Sequence, residues 1–197
     1  MIGVLGGTFD PPHLGHLTLA DLSRAAMGLD QVLWVVTTHS PLKQDEIISP
    51  VEYRIQMVQA AIKDDPFFVL SRADIDRSAP YYALGTLQWL ADRHQGARFA
   101  YLMGADTLND LPLWHKPIDF VEACAALGVM NRAGVNVDME RLERDLPGIS
   151  RKIQFIDAPM VEISAQDIRR RVKAGEFFRN LVPPGVAEII IQNRLYT

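Results

Sequence analysis

Several features that define whole classes of protein are scarce or absent in this chain of 197 residues. It has one cysteine, Cys124, so a disulfide framework is excluded. No apolar run approaches the roughly 20 residues that a membrane-spanning helix needs, and no basic region opens the N-terminal segment as in a signal peptide. The formal net charge of −4 argues against a general nucleic-acid-binding protein, which usually carries a basic surface. We therefore expect a cytoplasmic protein with no nucleic-acid or membrane partner.

Two common nucleotide-binding signatures are missing as well. The sequence contains neither a Walker A pattern nor a complete G-x-G-x-x-G, so nothing supports an ordinary ATPase or dehydrogenase. Internal repeats and low-complexity tracts are also absent from the sequence. The chain length fits one domain that can bury a sizeable core.

Short apolar runs alternate with helical patterns along the chain. Buried strands are predicted at residues 2–5, 32–36, 67–70, 99–103, 125–130 and 153–156. Helices are predicted at residues 14–26, 50–63, 82–93, 139–144 and 165–173, with a last helix that opens at Pro183 and Pro184. This alternation indicates an α/β fold with a Rossmann-like, doubly wound parallel sheet and helices on both faces. We expect a single domain over residues 1–197, in which residues 164–197 form a small C-terminal helical part.

The start of the second predicted helix has a typical capping sequence. Ser49 is placed as the N-cap, Pro50 as the first helical residue and Glu52 as the partner in a capping box. Glycines mark the ends of the first and fourth predicted strands, at Gly6-Gly7 and Gly104. Ligands of such sheets bind beyond the carboxyl ends of the strands, where the chain order reverses. The fold alone therefore predicts a nucleotide-sized site at this edge.

The segment that follows the first strand combines groups that suit an anion. Residues 6–16 read GGTFDPPHLGH. The two histidines, His13 and His16, lie one turn apart at the start of a helix and therefore share a face. The N-terminus of that helix adds unpaired N–H groups and a favourable dipole. Together with Thr8, these groups form a site suited to phosphate.

Three simpler interpretations of these residues stay open at this point. The glycine pair can be only a turn after a strand. A His-x-x-His pair on a helix can bind a metal, although no third ligand is evident nearby in the sequence. Either histidine can also be a satisfied core or capping residue.

The whole segment resembles the signature of the bacterial nicotinate mononucleotide adenylyltransferases, within the H-x-G-H nucleotidyltransferase superfamily. The superfamily core is G-x-F-D-x-x-H-x-G-H, and the doubled glycine and first histidine favour the pyridine-nucleotide branch. The resemblance implies an enzyme that joins the AMP moiety of ATP to nicotinate mononucleotide, or to nicotinamide mononucleotide, and releases pyrophosphate. It implies catalytic roles for His13, His16 and Thr8, and ATP binding by Gly6 and Gly7. Mg²⁺ is expected to arrive with ATP, without a dedicated protein cage, and a homo-oligomer is among the expected states.

Two later segments extend the resemblance over nearly the whole chain. Residues 104–108 and the downstream Trp114 match the family's G-x-D segment and its tryptophan. This match implies that Gly104 and Asp106 contact the ATP ribose and that Trp114 stacks on the pyridine ring. A helix N-cap at Asp106 and a core aromatic at Trp114 are the simpler alternatives. The I-S-x-x-x-I-R motif at residues 163–169 implies that Ser164 and Arg169 bind the β- and γ-phosphates.

The segments expected around the acceptor depart from the family pattern. Thr37 stands where the family usually has asparagine, and residues 40–43 read SPLK in place of its P-P-H-K/R turn, with Lys43 retained and the histidine absent. Residues 80–87 read PYYALGTL in place of P-S-Y-T-x-D-T-L, with Thr86 retained. The resemblance implies acceptor binding by Thr37, Lys43, Thr86 and Trp114. Two alternative functions stay open. The chain can be a nucleotidyltransferase of the same superfamily that uses another phosphorylated acceptor, or a non-catalytic nucleotide-binding protein on the same scaffold.

Overall fold

Six strands, nine α-helices and two short 3₁₀ helices lie in the part of the chain that the computed structural model describes, namely residues 1–38, 48–131, 134–158 and 163–197. The strands are β1 (Ile2–Gly7), β2 (Gln31–Val36), β3 (Phe68–Ser71), β4 (Phe99–Gly104), β5 (Ala126–Met130) and β6 (Ile153–Ile156). The helices are α1 (Leu14–Met27), α2 (Val51–Ile62), α3 (Ala73–Asp76), α4 (Ala83–Arg93), α5 (Ala105–Asp110), α6 (Pro117–Ala123), α7 (Met139–Asp145), α8 (Ala165–Ala174) and α9 (Pro184–Gln192). Lys43 and the predicted turn around it lie outside the described residues.

All six strands are parallel neighbours in one sheet, in the order β3-β2-β1-β4-β5-β6. Ile2 of β1 pairs with Gln31 on one side and with Phe99 on the other. The chain therefore builds outward from β1 to β3 and then returns to the other side of β1 for β4. This is the doubly wound arrangement that the sequence predicts, and it puts the reversal point between the carboxyl ends of β1 and β4.

Both faces of the sheet are buried. Along β4, Tyr101 and Met103 belong to the core cluster that includes α4 and α6, whereas Ala100 and Leu102 belong to the cluster that includes α1 and α2. This alternation follows from the two-residue period of a strand. A parallel sheet covered on both sides explains why its strands read as continuous apolar runs in the sequence.

A third apolar cluster joins the C-terminal helices to α2. Met57 of α2 packs with Ile168 of α8 and with Val186 and Ile190 of α9. The C-terminal helices are therefore fixed against the same helix that flanks the end of β2. On this basis we propose that residues 1–197 form one domain with residues 164–197 as its helical part.

The predicted cap of α2 is wrong in detail. Pro50, not Ser49, is the N-cap residue, and no side chain caps the helix there. The backbone N–H of Ser49 instead donates to Asp10 Oδ2 at 2.9 Å. The sequence pattern also missed the short helices α3, α5 and α6. No helix in the described ranges is both long and apolar enough to cross a membrane.

The reactivity of Cys124 provides a test of this packing. Its side chain is 1% exposed, and burial raises the pKa of its thiol to about 12 from the ordinary value of 9.0. Because the folded pKa is the higher one, this thiol stabilises the fold below pH 9 and that contribution is lost as the pH rises toward 12. We expect a thiol reagent at pH 8 to label the native chain at least about 10³-fold more slowly than the denatured chain, since labelling requires opening of the core. Rapid stoichiometric labelling of the native chain would contradict the packing.

Candidate active site

Two cavities adjoin at the carboxyl edge of the sheet. The larger has a volume of about 620 Å³ and opens at the ends of β1, β2 and β4. Its lining includes the predicted residues Gly6, Gly7, Thr8, His13, His16, Thr37, Thr86, Gly104, Asp106 and Trp114. The smaller, of about 260 Å³, includes Ser164 and Arg169. Thr8, His13 and His16 line both cavities. The described residues that the sequence selects therefore lie around one continuous site.

The two histidines form a stacked pair at the start of α1. His13 is the N-cap residue and His16 the third residue of the helix, and their ring centroids are 3.7 Å apart with an interplanar angle of 28°. The backbone N–H of His13 donates to Nδ1 of His16 at 3.2 Å. A neutral imidazole that accepts at Nδ1 carries its proton on Nε2. His16 therefore accepts the cap hydrogen bond through Nδ1, so the capping interpretation holds, and its phosphate-binding role stays a prediction.

The aromatic ring of Phe9 packs against the ring of His16. Its centroid lies 5.0 Å from that of His16 in an edge-on arrangement and 5.2 Å from that of Trp34. Phe9 has a φ of 50°, in the left-handed region that costs a non-glycine residue about 1–2 kcal/mol. The ring is only 2% exposed, and this packing stabilises the turn. The sequence motif contains Phe9, but its supporting role was not predicted.

Gly6 and Gly7 are not a turn. They are the last two residues of β1 and pair with Val35 and Val36 of β2. A Cβ at Gly6 would lie 2.5 Å from the hydroxyl of Tyr101, and one at Gly7 would lie 3.2 Å from the ring of Phe9. Any side chain at Gly6 would displace a buried tyrosine whose pKa is raised by its burial. Because these two residues lack side chains, β1 continues as far as the cavity and its backbone lines the wall there.

Arg54 of α2 ties the ends of β1 and β2 together. It is 1% exposed, and its guanidinium donates to the backbone carbonyls of Thr8, Thr37, Thr38 and Ser49 at 2.7–3.0 Å. Burial lowers the pKa of Arg54, while the charge of Asp10 acts against that shift. Thr8 and Thr37 are thus held from behind through their backbone. This role was not predicted from the sequence, although Arg54 stands one turn before Met57 and Val58 on the face that α2 buries.

The C-terminal motif reaches the same site from α8. Ser164 is the N-cap of α8 and accepts from the N–H of Asp167 at 3.1 Å. Arg169 donates to the carbonyl of Asp10 at 2.8 Å and lines the smaller cavity. The next two arginines instead form ion pairs on the outer side of the helix with Asp167 and Glu176. Those hydrogen bonds from Arg171 and Arg170 lower the pKa of Asp167.

The opposite end of the larger cavity is aromatic. Tyr82 and His115 stack with centroids 4.1 Å apart and an interplanar angle of 17°. Trp114 packs against Tyr101 and Phe120 at 5.9 and 5.1 Å and also lines the cavity, so its core packing is confirmed and its stacking on the pyridine ring stays a prediction. Asp106 lies within the first turn of α5, after the N-cap Gly104, so the N-cap interpretation of Asp106 is wrong.

A buried polar network explains one departure at the acceptor end. The hydroxyl of Thr86 donates to Asp74 Oδ1 at 2.6 Å, and Arg77 donates to both residues at 3.0 and 3.1 Å. A Cβ at Gly85 would lie 3.3 Å from Nη1 of Arg77, so an acid at that position would sit beside this guanidinium. Here Asp74 supplies the carboxylate partner. Thr86 therefore lines the cavity with its hydroxyl committed to the network. Asp74 also lines the cavity and Arg77 holds both residues in place, and the sequence pattern missed both Asp74 and Arg77.

Within the described ranges, no group of three or more histidine, cysteine or acidic residues is placed to hold a metal ion. The absence of a dedicated protein site for Mg²⁺ stays a prediction.

The fold and the paired cavities define a nucleotide-binding α/β protein, and comparisons with known proteins place it more closely. A family model described as cytidylyltransferase-like matches residues 4–171. A relative from Thermomicrobium roseum, named a probable nicotinate-nucleotide adenylyltransferase, is 37% identical over 195 residues, 99% of this chain and 91% of the relative. A relative of the same name from Roseiflexus sp. (strain RS-1) is 39% identical over 196 residues, covering 99% and 97% of the two chains.

Solved structures agree at the level of the fold. The Plasmodium falciparum nicotinic acid mononucleotide adenylyltransferase complexed with NaAD matches with a TM-score of 0.80 over 99% of this chain and 96% of that chain, at 19% identity. The chain therefore belongs to the cytidylyltransferase-like family and, within it, to the nicotinate-nucleotide adenylyltransferases. The family resemblance of residues 6–16 is confirmed.

Replacing Arg54 by methionine tests the support behind the site. Methionine keeps much of the side-chain volume but leaves four buried carbonyls without their donor. We expect the free energy of unfolding to fall by roughly 3–5 kcal/mol, the usual loss when one member of a buried charged network is removed. Chemical denaturation measures this change, with Arg72→Met as the control because that arginine makes an exposed ion pair with Asp76. A loss below about 1 kcal/mol would contradict the role of Arg54.

Proposed function

We propose that this chain transfers the AMP moiety of ATP to nicotinate mononucleotide, and forms the dinucleotide of NAD biosynthesis and pyrophosphate. The observation that carries the proposal is the stacked pair His13 and His16 in the wall shared by the two cavities. One cavity has room for a nucleoside and a mononucleotide, and the other leads to Ser164 and Arg169, groups suited to phosphates. The names of the full-length relatives support the same activity.

The reaction needs no covalent enzyme intermediate. An oxygen of the acceptor phosphate attacks the α-phosphorus of ATP in line, the bond to the bridging oxygen breaks, and pyrophosphate leaves. The attacking phosphate is already an anion, so no general base is required. The protein's part is to position the two phosphates and to stabilise the negative charge that spreads in the transition state.

The proposed roles follow the positions of the side chains. His13, His16 and Thr8 lie where the two cavities meet and would donate to the reacting phosphates. Ser164 and Arg169 would hold the β- and γ-phosphates, at the N-terminus of α8 and next to Asp10. Mg²⁺ enters as part of the MgATP substrate, bound mainly through phosphate oxygens.

The remaining cavity wall is divided between nucleoside and acceptor. Gly6 and Gly7 allow close approach of ATP, and Gly104 and Asp106 would contact its ribose. Thr37, Thr86 and Trp114 would surround the acceptor, with Trp114 against the pyridine ring. Lys43 is proposed as a further acceptor-phosphate contact from outside the described residues. A cytoplasmic location and a homo-oligomeric state complete the proposal.

The acceptor is tested by an assay for released pyrophosphate. The purified chain with MgATP is expected to release pyrophosphate with nicotinate mononucleotide, and less efficiently with nicotinamide mononucleotide. Phosphopantetheine and a sugar phosphate serve as control acceptors, because they are used by other members of the superfamily. Activity with a control acceptor alone would assign the chain to another reaction, and no release with any acceptor would support a non-catalytic nucleotide-binding protein.

His16→Ala tests the phosphate-donor role. The change removes both the helix cap and the Nε2 donor, and we expect kcat to fall about 10²–10³-fold, as for the loss of one transition-state donor. His94→Ala is the matched control, because His94 lies at the C-terminal end of α4 and lines neither cavity. A folded His16→Ala variant with near-normal turnover would remove His16 from the mechanism.

A further inference from the structure

The carboxylate of Asp10 is held by the last residues of the chain. The hydroxyl of Tyr196 donates to Asp10 Oδ1 at 2.6 Å, across a separation of 186 residues. The other carboxylate oxygen accepts from the N–H of Ser49, and the backbone carbonyl of Asp10 accepts from Arg169. Asp10 is 2% exposed. This residue in the middle of the phosphate-binding segment is thus fixed from three separate parts of the chain.

The backbone that brings Tyr196 to this position is strained. α9 ends in a turn in which Leu195 N–H donates to the carbonyl of Ile190, and Arg194 at its corner has a φ of 49°. Glycine normally occupies such a corner. Tyr196 itself has a φ of 67°. Left-handed conformations are unfavourable for both residues, so contacts made by the tail must stabilise them.

Two contacts supply that stabilisation. Tyr196 and Leu195 pack against the apolar cluster formed by α2, α8 and α9, where the hydroxyl also lies 4.0 Å from Sδ of Met57. Burial and the adjacent carboxylate of Asp10 raise the pKa of Tyr196, which keeps its hydroxyl protonated and able to donate. The ring is therefore anchored by packing, and the hydroxyl is directed at a single acceptor in the phosphate-binding segment.

We propose that Tyr196 is a positioning residue for adenylyl transfer: its hydroxyl fixes the Asp10 carboxylate, and through it the turn that leads from Thr8 to the His13–His16 pair. The proposal rests on the proposed function, since it assigns Tyr196 to that site. It goes further in giving a residue that lines neither cavity a part in positioning the phosphate-binding segment. Because Asp10 lies in the turn between Thr8 and His13, a small displacement there would move the donors relative to phosphate.

The test compares Tyr196→Phe with Tyr53→Phe. Each substitution removes one hydroxyl, and Tyr53 packs against the same apolar cluster without contacting Asp10 in any described hydrogen bond. We expect Tyr196→Phe to lower kcat about 10-fold and to leave the KM for the mononucleotide within about twofold. Tyr53→Phe is expected to leave both parameters unchanged. Equal turnover in the two variants, or a Tyr196→Phe effect confined to the mononucleotide KM, would overturn the proposal.

Two further measurements separate positioning from stability and from the function itself. The imidazole resonances of His13 and His16 are expected to shift in Tyr196→Phe and not in Tyr53→Phe, and affinity for α,β-methylene ATP is expected to fall about 10-fold in the first variant only. Both are read without turnover, so they test the role of Tyr196 even if the wild type releases no pyrophosphate, an outcome that would refute the proposed function alone. Unchanged resonances and affinity in Tyr196→Phe would refute the positioning role.

In the double variant Asp10→Asn/Tyr196→Phe, the loss of kcat is expected to be no greater than in Asp10→Asn alone. Additive losses of kcat would show that the two residues act independently, and would contradict the proposal.

Discussion

The buried guanidinium of Arg54 fixes the edge on which the whole site is built. Parallel strands end with carbonyls that lack sheet partners. Arg54 satisfies four carbonyls at once from α2: those of Thr8, Thr37 and Thr38, just beyond the ends of β1 and β2, and that of Ser49, just before α2. Its planar array of donors suits this task better than the single ammonium of a lysine would. The charge is balanced by the nearby carboxylate of Asp10, so the same interaction that closes the sheet edge also fixes the start of the phosphate-binding segment.

The sequence predicted the fold well because its signals are local and periodic. Buried strands appear as continuous apolar runs, and the alternation with helices leads to the doubly wound sheet that the structure has. The helices that were missed, α3, α5 and α6, are four to seven residues long, too short to show a helical period. The cap of α2 was misplaced because Ser49 gives its N–H to Asp10, a contact 39 residues away.

The sequence identified some residues around the cavities and missed others, again because its signals are local. Residues of contiguous motifs, such as His13, His16 and Arg169, line the two adjoining cavities, as expected for neighbours in one site. Asp74, Arg77 and Tyr196 were missed because their role comes from hydrogen bonds between separate elements, and no local pattern encodes such pairs. Gly85 is the clearest example. In the sequence it stands where the family has an acidic residue, which suggests that a carboxylate is lost. In the structure, Arg77 beside Gly85 binds the carboxylate of Asp74 instead.

The histidine pair shows why structural and functional interpretations of one residue need not compete. His16 accepts the N–H of His13 at Nδ1, and that bond requires the unprotonated nitrogen on this side of the ring. The proton of the neutral ring is thereby assigned to Nε2, so the cap determines which nitrogen can donate. Stacking on His13 and the edge contact with Phe9 then restrict rotation of the ring. Helix capping thus sets both the tautomer and the orientation with which His16 would act in its proposed role as a phosphate donor.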